Sequence, residues 1–148
     1  MTAIIQPPSA SPKPRLRAAY GPWAVVTGAS DGIGRAFAGQ LAAAGFDLVL
    51  VARREVVLQA LAAELAHRHA ITARCLAVDL AVPAGIATLL AGTKDLDVGL
   101  LVASAGFGTS GPFLDGDLDT ELETIDVNCR AAAAPSAPAS SPHSSSSP

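Results

Sequence analysis

The string Thr-Gly-Ala-Ser-Asp-Gly-Ile-Gly, Thr27 to Gly34, constrains this chain more than any other feature, because of what flanks it. A short apolar run, Trp23 to Thr27, leads into it, and Ile33, Phe37 and Leu41 then recur at steps of four, the period of a helix with one apolar face. Each glycine between strand and helix has its own task. Gly28 turns the chain off the strand, Gly32 lets backbone approach a pyrophosphate with no Cβ in the way, and Gly34 permits close packing of helix on sheet. The helix start offers free N–H groups and a positive dipole end to phosphates. Ser30 or Asp31 is placed to cap it.

The same alternation continues down the chain. Gly45 closes the first helix, and Leu48 to Ala52 is apolar without a break, as expected of a central strand covered on both faces. A helix from about Arg54 to His69 carries Val57, Leu58, Leu61 and Leu65 as its core stripe, and a third strand lies near Thr72 to Val78. A short helix after Pro83 is expected to bury Ile86, Leu89 and Leu90, and Val98 to Ala103 forms a fourth strand before a Gly-rich loop. Leu118, Leu122, Ile125 and Cys129 stand at heptad-like spacing and predict a last helix. Successive βα units specify an α/β fold with a parallel sheet of about four strands.

The two ends read differently. Residues 1–19 hold four prolines together with Lys13, Arg15 and Arg17, a composition that predicts a flexible lead-in. Residues 131–148 contain only Ala, Pro, Ser and His143, which predicts an unfolded tail; its onset in mid-helix suggests an interrupted or out-of-frame reading of a longer gene. The ordered domain is thus expected over residues 20–130. A net charge of −3 with scattered Lys and Arg argues against a nucleic-acid partner. The apolar patch Ala3–Ile5 is too short for a secretory signal, and no apolar stretch approaches the ~20 residues of a membrane span, so a cytoplasmic location is expected. Cys75 and Cys129 are far apart and outside any metal-ligand spacing, which reads as two buried small hydrophobes and no metal site.

Three residues separate the first two glycines of the loop, and in this strand-to-helix context the spacing resembles the short-chain dehydrogenase/reductase family over roughly Tyr20 to Arg130. The stretch YGPWAVVTGASDGIGRAFA is similar to the fatty-acyl (ketoacyl) and steroid ketoreductase branch. The resemblance implies a Rossmann-type, doubly wound parallel sheet in the order 3-2-1-4, of which this chain carries the incomplete amino-terminal half. It also implies a cofactor site on Gly28, Ser30, Asp31, Gly32, Ile33 and Gly34.

Charge at the end of the second strand bears on which dinucleotide fits. An acidic residue there would bind the ribose hydroxyls of NAD and repel a 2′-phosphate, whereas here Ala52 is followed by Arg53 and Arg54. A guanidinium forks onto a phosphate through two charge-assisted hydrogen bonds, so NADP is expected in preference to NAD, with Arg53 as its ligand and Arg54 as a solvated helix start. In AVDL, the resemblance gives the Asp79 side chain and the Leu80 amide to the adenine; an Asp at a strand end also serves simply to turn the chain. Where the family has Asn-Asn-Ala-Gly, this chain reads Ala-Ser-Ala-Gly. Ala105 and Gly106 keep the small residues beside the nicotinamide ribose, while Ala103 and Ser104 lose the strand-bracing Asn side chains.

The family moves a hydride between the nicotinamide and a carbonyl or alcohol carbon, with a Tyr transferring the proton, a Lys lowering its pKa, a Ser orienting the substrate and an Asn extending the proton relay. The string TIDVNCRA puts Asn128 at that Asn position. The sole tyrosine is Tyr20, before the first strand, and no Tyr-x-x-x-Lys occurs in these residues, so the chain is expected to be an inactive fragment. His67 and His69, two apart on a helix, point to different faces and do not substitute. The alternative is a non-catalytic module that binds NADP or pairs with another subunit. The fourth strand is expected to be an open edge inviting self-association, and the product to be marginally stable.

Overall fold

The computed structural model describes residues 13–136. In chain order these form α1 (Lys13–Tyr20), β1 (Trp23–Thr27), α2 (Gly32–Ala43), β2 (Asp47–Ala52), α3 (Glu55–His69), β3 (Ala73–Ala77), α4 (Pro83–Thr93) and β4 (Val98–Ala103). A 3₁₀ turn (Phe113–Asp115) follows, then α5 (Leu118–Ile125), a π-helical turn (Asp126–Arg130) and α6 (Ala131–Ser136). The four strands make one parallel sheet in the order β3-β2-β1-β4, as the resemblance implies.

Because side chains alternate across a strand, the sheet sorts its residues into two cores. Ala24, Val26, Leu48 and Leu50 point to the side covered by α2 and α3, where Ala38, Leu41, Leu58, Leu61 and Leu65 meet them. Val25, Val49 and Val51 point to the other side, with Leu80, Ile86, Leu89 and Ala131. Covering on both faces explains why β1 and β2 read as unbroken apolar runs.

The apolar stripe of α2 is not the one its large residues suggest. Ile33 and Phe37 are exposed, and the buried face is Gly34, Ala38, Leu41 and Ala42. The cause is proximity: a Cβ on Gly34 would collide with the Gly28 carbonyl and the Ser104 hydroxyl, so the helix lies too close to the strand ends for bulky side chains. Ile33 and Phe37, one helical position earlier, are carried off that face. On α4, Ile86 and Leu89 are buried as expected, but Leu90 is half exposed.

Both expected unstructured ends contain helix within the described residues. Residues 13–20 form α1, held by Arg17, which donates to the Gly45 carbonyl at 2.6 Å and pairs with Asp47 at 3.1 Å. The other oxygen of Asp47 accepts from the Thr72 amide at 2.8 Å, so one carboxylate ties α1 to the starts of β2 and β3. Residues 131–136 form α6, whose alanines approach the sheet closely, with Ala131 buried. The rest of the expected lead-in and tail, residues 1–12 and 137–148, lie outside the described residues.

Beyond β4 the packing changes. Among the described residues the strand pairs only with β1, and α5 has no buried residue: Leu118, Leu122 and Ile125 are all at least half exposed. Cys129, expected to be buried, is exposed, while Cys75 is half buried on β3.

Candidate functional site

A cleft of about 560 Å³ opens at the carboxyl ends of the strands, where open α/β sheets place their ligands. Each of the four strands contributes through the segment that follows it. Gly28, Ser30 and Asp31 come from the β1–α2 loop and Gly32 and Ile33 from the first turn of α2; Ala52, Arg53 and Arg54 come from the end of β2. Val78, Asp79 and Leu80 follow β3, Ser104 to Phe107 follow β4, and Val127 comes from the π-helical turn. Ten of the residues that sequence reasoning assigned to a cofactor thus line one cavity: Gly28, Ser30, Asp31, Gly32, Ile33, Arg53, Asp79, Leu80, Ala105 and Gly106. Gly34 is not a lining residue; its place is between α2 and the strand ends.

The β1–α2 loop has the geometry of an anion cradle. Gly28 (φ +66°) and Gly32 (φ +52°) adopt left-handed backbone that L side chains rarely take. A Cβ on Gly28 would strike the Ser104–Ala105 peptide, whereas the space beside Gly32 is open, leaving its backbone accessible from the cleft. Asp31 caps α2, its Oδ1 accepting from the Gly32 amide at 2.7 Å. Its other oxygen lies 3.7 Å from Arg54, which also donates to Ser30 Oγ at 3.3 Å. Arg54 is the N-cap residue of α3, yet its side chain reaches across to the loop instead of capping its own helix. Arg53 lines the cleft and is exposed.

Asp79 has a defined chain-turning role, since its Oδ1 accepts from the Ala81 amide at 2.9 Å. Its residue and Leu80 still face the cavity. Across the cleft, the bracing that Ala103 and Ser104 were expected to lose is supplied another way. Ser104 Oγ donates to the Thr27 carbonyl at 2.6 Å, and the buried Thr27 hydroxyl accepts from the amides of Ser104 and Ala105 at 3.1 Å each. These bonds clamp the end of β4 to the end of β1 and fix Ala105 and Gly106 at the cavity wall. Thr27 is a working part of the site that motif reading passed over; a lone hydroxyl ending an otherwise apolar strand was the signal.

Asn128 sits within the π-helical turn, a feature common at functional sites. Its carboxamide pairs twice with the backbone of Phe107: Oδ1 accepts from the amide at 3.1 Å and Nδ2 donates to the carbonyl at 2.8 Å. Asn128 therefore pins the loop after β4 to the last helical segment. The Cys75 thiol is pushed above its ordinary pKa, first by burial and then by the negative charge of Glu55, so it is a packing group and no thiolate nucleophile.

The family model of the short chain dehydrogenases matches residues 22–141 of this sequence. This chain belongs to the short-chain dehydrogenase family. A very-long-chain 3-oxoacyl-CoA reductase of Podospora anserina is 46% identical over 118 residues, 74% of this chain and 34% of the relative. A 7beta-hydroxysteroid dehydrogenase of Collinsella aerofaciens is 33% identical over 113 residues, 76% of this chain and 43% of its own. Among solved structures, a short-chain dehydrogenase from Sphingobium yanoikuyae in complex with NADPH superposes with a TM-score of 0.71 at 38% identity, covering 74% of this chain and 44% of that one. The L-sorbose reductase of Gluconobacter frateurii, complexed with NADPH and L-sorbose, does so at 0.73 and 29%, covering 77% and 44%. The chain spans between a third and a half of the length of these relatives. No helix among the described residues is long and apolar enough to cross a membrane.

Proposed function

We propose that this chain provides the NADP-binding part of a short-chain oxidoreductase acting on a carbonyl or alcohol. The observation that carries the reading is the convergence of the left-handed glycine loop, an arginine pair and no acid at the end of β2 on one cavity. The donor set fits a 2′-phosphorylated dinucleotide: loop amides for the pyrophosphate, Arg53 for the 2′-phosphate, Asp79 and Leu80 for the adenine, and Ala105 and Gly106 beside the nicotinamide ribose. Bound NADP supplies the redox chemistry, the gain or release of a hydride. Two relatives solved with NADPH support the same choice of cofactor.

These 148 residues contain no Tyr-x-x-x-Lys, so by themselves they hold no general acid–base for the carbonyl oxygen. Asn128 contributes by positioning, since both ends of its carboxamide are bonded to Phe107. A second reading, a module that binds NADP and pairs with another subunit in the cytoplasm, is favoured by the outer side of β4, which pairs with no strand among the described residues. Titration with NADPH and NADH, followed by a ketone panel, tests both readings. The expected outcome is saturable binding with NADPH preferred and no turnover by the isolated chain. Equal affinity for the two dinucleotides would remove the role of Arg53, and turnover would remove the need for the missing tyrosine.

A further inference from the structure

The family match begins at residue 22, so α1 lies ahead of everything the family model shares. It is nevertheless built into the sheet. Arg17 holds it to the Gly45 carbonyl at 2.6 Å and to Asp47 at 3.1 Å, and the Gly21 amide closes the helix on the Arg17 carbonyl at 2.9 Å. This brings the last carbonyl of α1, that of Tyr20, onto β4, where its oxygen occupies the place that a Cβ on Gly99 would take. Gly99 is also where the pairing of β4 slips. Trp23 faces Val98 and Ala24 faces Leu100, which leaves Gly99 as an extra residue, a bulge.

The bulge decides which way the rest of β4 faces. Side chains alternate along a regular strand, yet Val98 and Leu101, three residues apart, pack against the same core, while Leu100 and Val102 pack against the core under α2 and α3. The bulge also sets Ala103 opposite Thr27, so that the next two amides reach the Thr27 hydroxyl at 3.1 Å each. Without it, Val102 would stand opposite Thr27, the side chains that follow would change face, and the clamp would be one residue out of place. We propose that α1 is a register strap: the Tyr20 carbonyl, fixed by the Arg17 latch, seats the Gly99 bulge and so positions the Ser104–Gly106 wall of the cleft at the far end of the strand. Arg17 and Gly99 are positioning residues, since neither lines the cleft. The effect on dinucleotide binding rests on reading that cleft as an NADP site, whereas the register of β4 does not.

Amide hydrogen exchange on the full chain tests the strap, and calorimetric titration of NADPH against 2′,5′-ADP tests its reach to the cleft. The second ligand lacks the nicotinamide ribose that is assigned to Ala105 and Gly106. Arg17→Ala is expected to speed exchange of the β4 amides roughly tenfold, the scale of one hydrogen bond from a charged group, with Val49–Val51 of β2 unchanged. The same variant should weaken NADPH by roughly threefold, the low end of coupling through a packed element, and leave 2′,5′-ADP within error. Arg17→Lys, which keeps a cation beside Asp47, should recover part of both effects. Gly99→Ala, which displaces the Tyr20 carbonyl and leaves Arg17 intact, should reproduce the pattern more strongly. Exchange that rises equally in β2 and β4, or that stays unmoved in β4, would overturn the strap. Equal weakening of the two ligands by Arg17→Ala would overturn its reach to the cleft wall. Wild-type chain that binds neither ligand would overturn the NADP site, and the strap would then stand or fall on the exchange of β4.

Discussion

An internal strand, β2, and an edge strand, β4, are built from comparably apolar sequence and reach different degrees of burial. In β2, the four residues Leu48, Val49, Leu50 and Val51 are each 0% exposed, with α2 and α3 on one face and α4 on the other. In β4, every residue is at least partly exposed, and α5 after it carries Leu118, Leu122 and Ile125 into solvent. The difference teaches that an apolar pattern states only what a segment is able to bury. What it does bury depends on whether a partner surface is in place, and the cleft proposed for the cofactor draws chiefly on the well-packed side, with β4 joined through Thr27, Ser104 and Asn128.

Four substitutions would break or sharpen this contrast. Leu50→Ala, in the fully buried strand, should cost ~2–5 kcal/mol, read as a large drop in the midpoint of denaturant unfolding; a near-neutral result would mean β2 is far looser than its packing indicates. Thr27→Val removes the acceptor of two β4-end amides and should cost about 1–3 kcal/mol while weakening dinucleotide binding, because the cavity wall at Ala105 and Gly106 loses its clamp. Smaller is the effect of Asp95→Asn at the far edge of the sheet. There Asp95 takes both guanidinium nitrogens of Arg74 at 2.9 and 3.0 Å, and that hydrogen bonding holds its carboxyl below the ordinary value of 3.8. A lowered folded-state pKa means the contribution is present above the ordinary carboxylate value and is lost as pH falls through the lowered one. Wild type and Asp95→Asn should therefore differ at neutral pH and converge in thermal melts run progressively below pH 4, an order-of-magnitude window set by that sign. Least of all, Leu122→Lys on α5 should change stability by no more than about 0.5 kcal/mol and should reduce self-association in sedimentation runs; a loss as large as that of Leu50→Ala would show that α5 is covered after all.

β1 and β2 were legible because burial on both faces leaves an unbroken apolar run, and β4, comparably apolar though partly exposed, was read to the residue. The strand order came only through the family resemblance carried by the glycine loop. Helix faces were less legible. Large residues advertise hydrophobicity, yet on α2 the face against the sheet is Gly34, Ala38 and Ala42, where close approach excludes Ile33 and Phe37. The short α1 and the reach of Arg54 were hidden for another reason: Arg17 finds Gly45 and Asp47, and Arg54 finds Ser30 and Asp31, more than twenty residues away along the chain. Ser104 shows a third limit. Reading it as a lost asparagine was right about the side chain, but the clamp it makes with Thr27 depends on a strand pairing that spacing alone does not reveal.

The most direct test of the account follows the backbone amides by NMR while NADPH is added to the chain. The account predicts that shifts concentrate in Gly28–Gly34, Arg53–Arg54, Asp79–Leu80 and Ala105–Gly106, while Leu118–Ile125 stays still. Shifts confined to α5, or spread evenly over the sheet, would contradict the assignment of the cleft as the dinucleotide site.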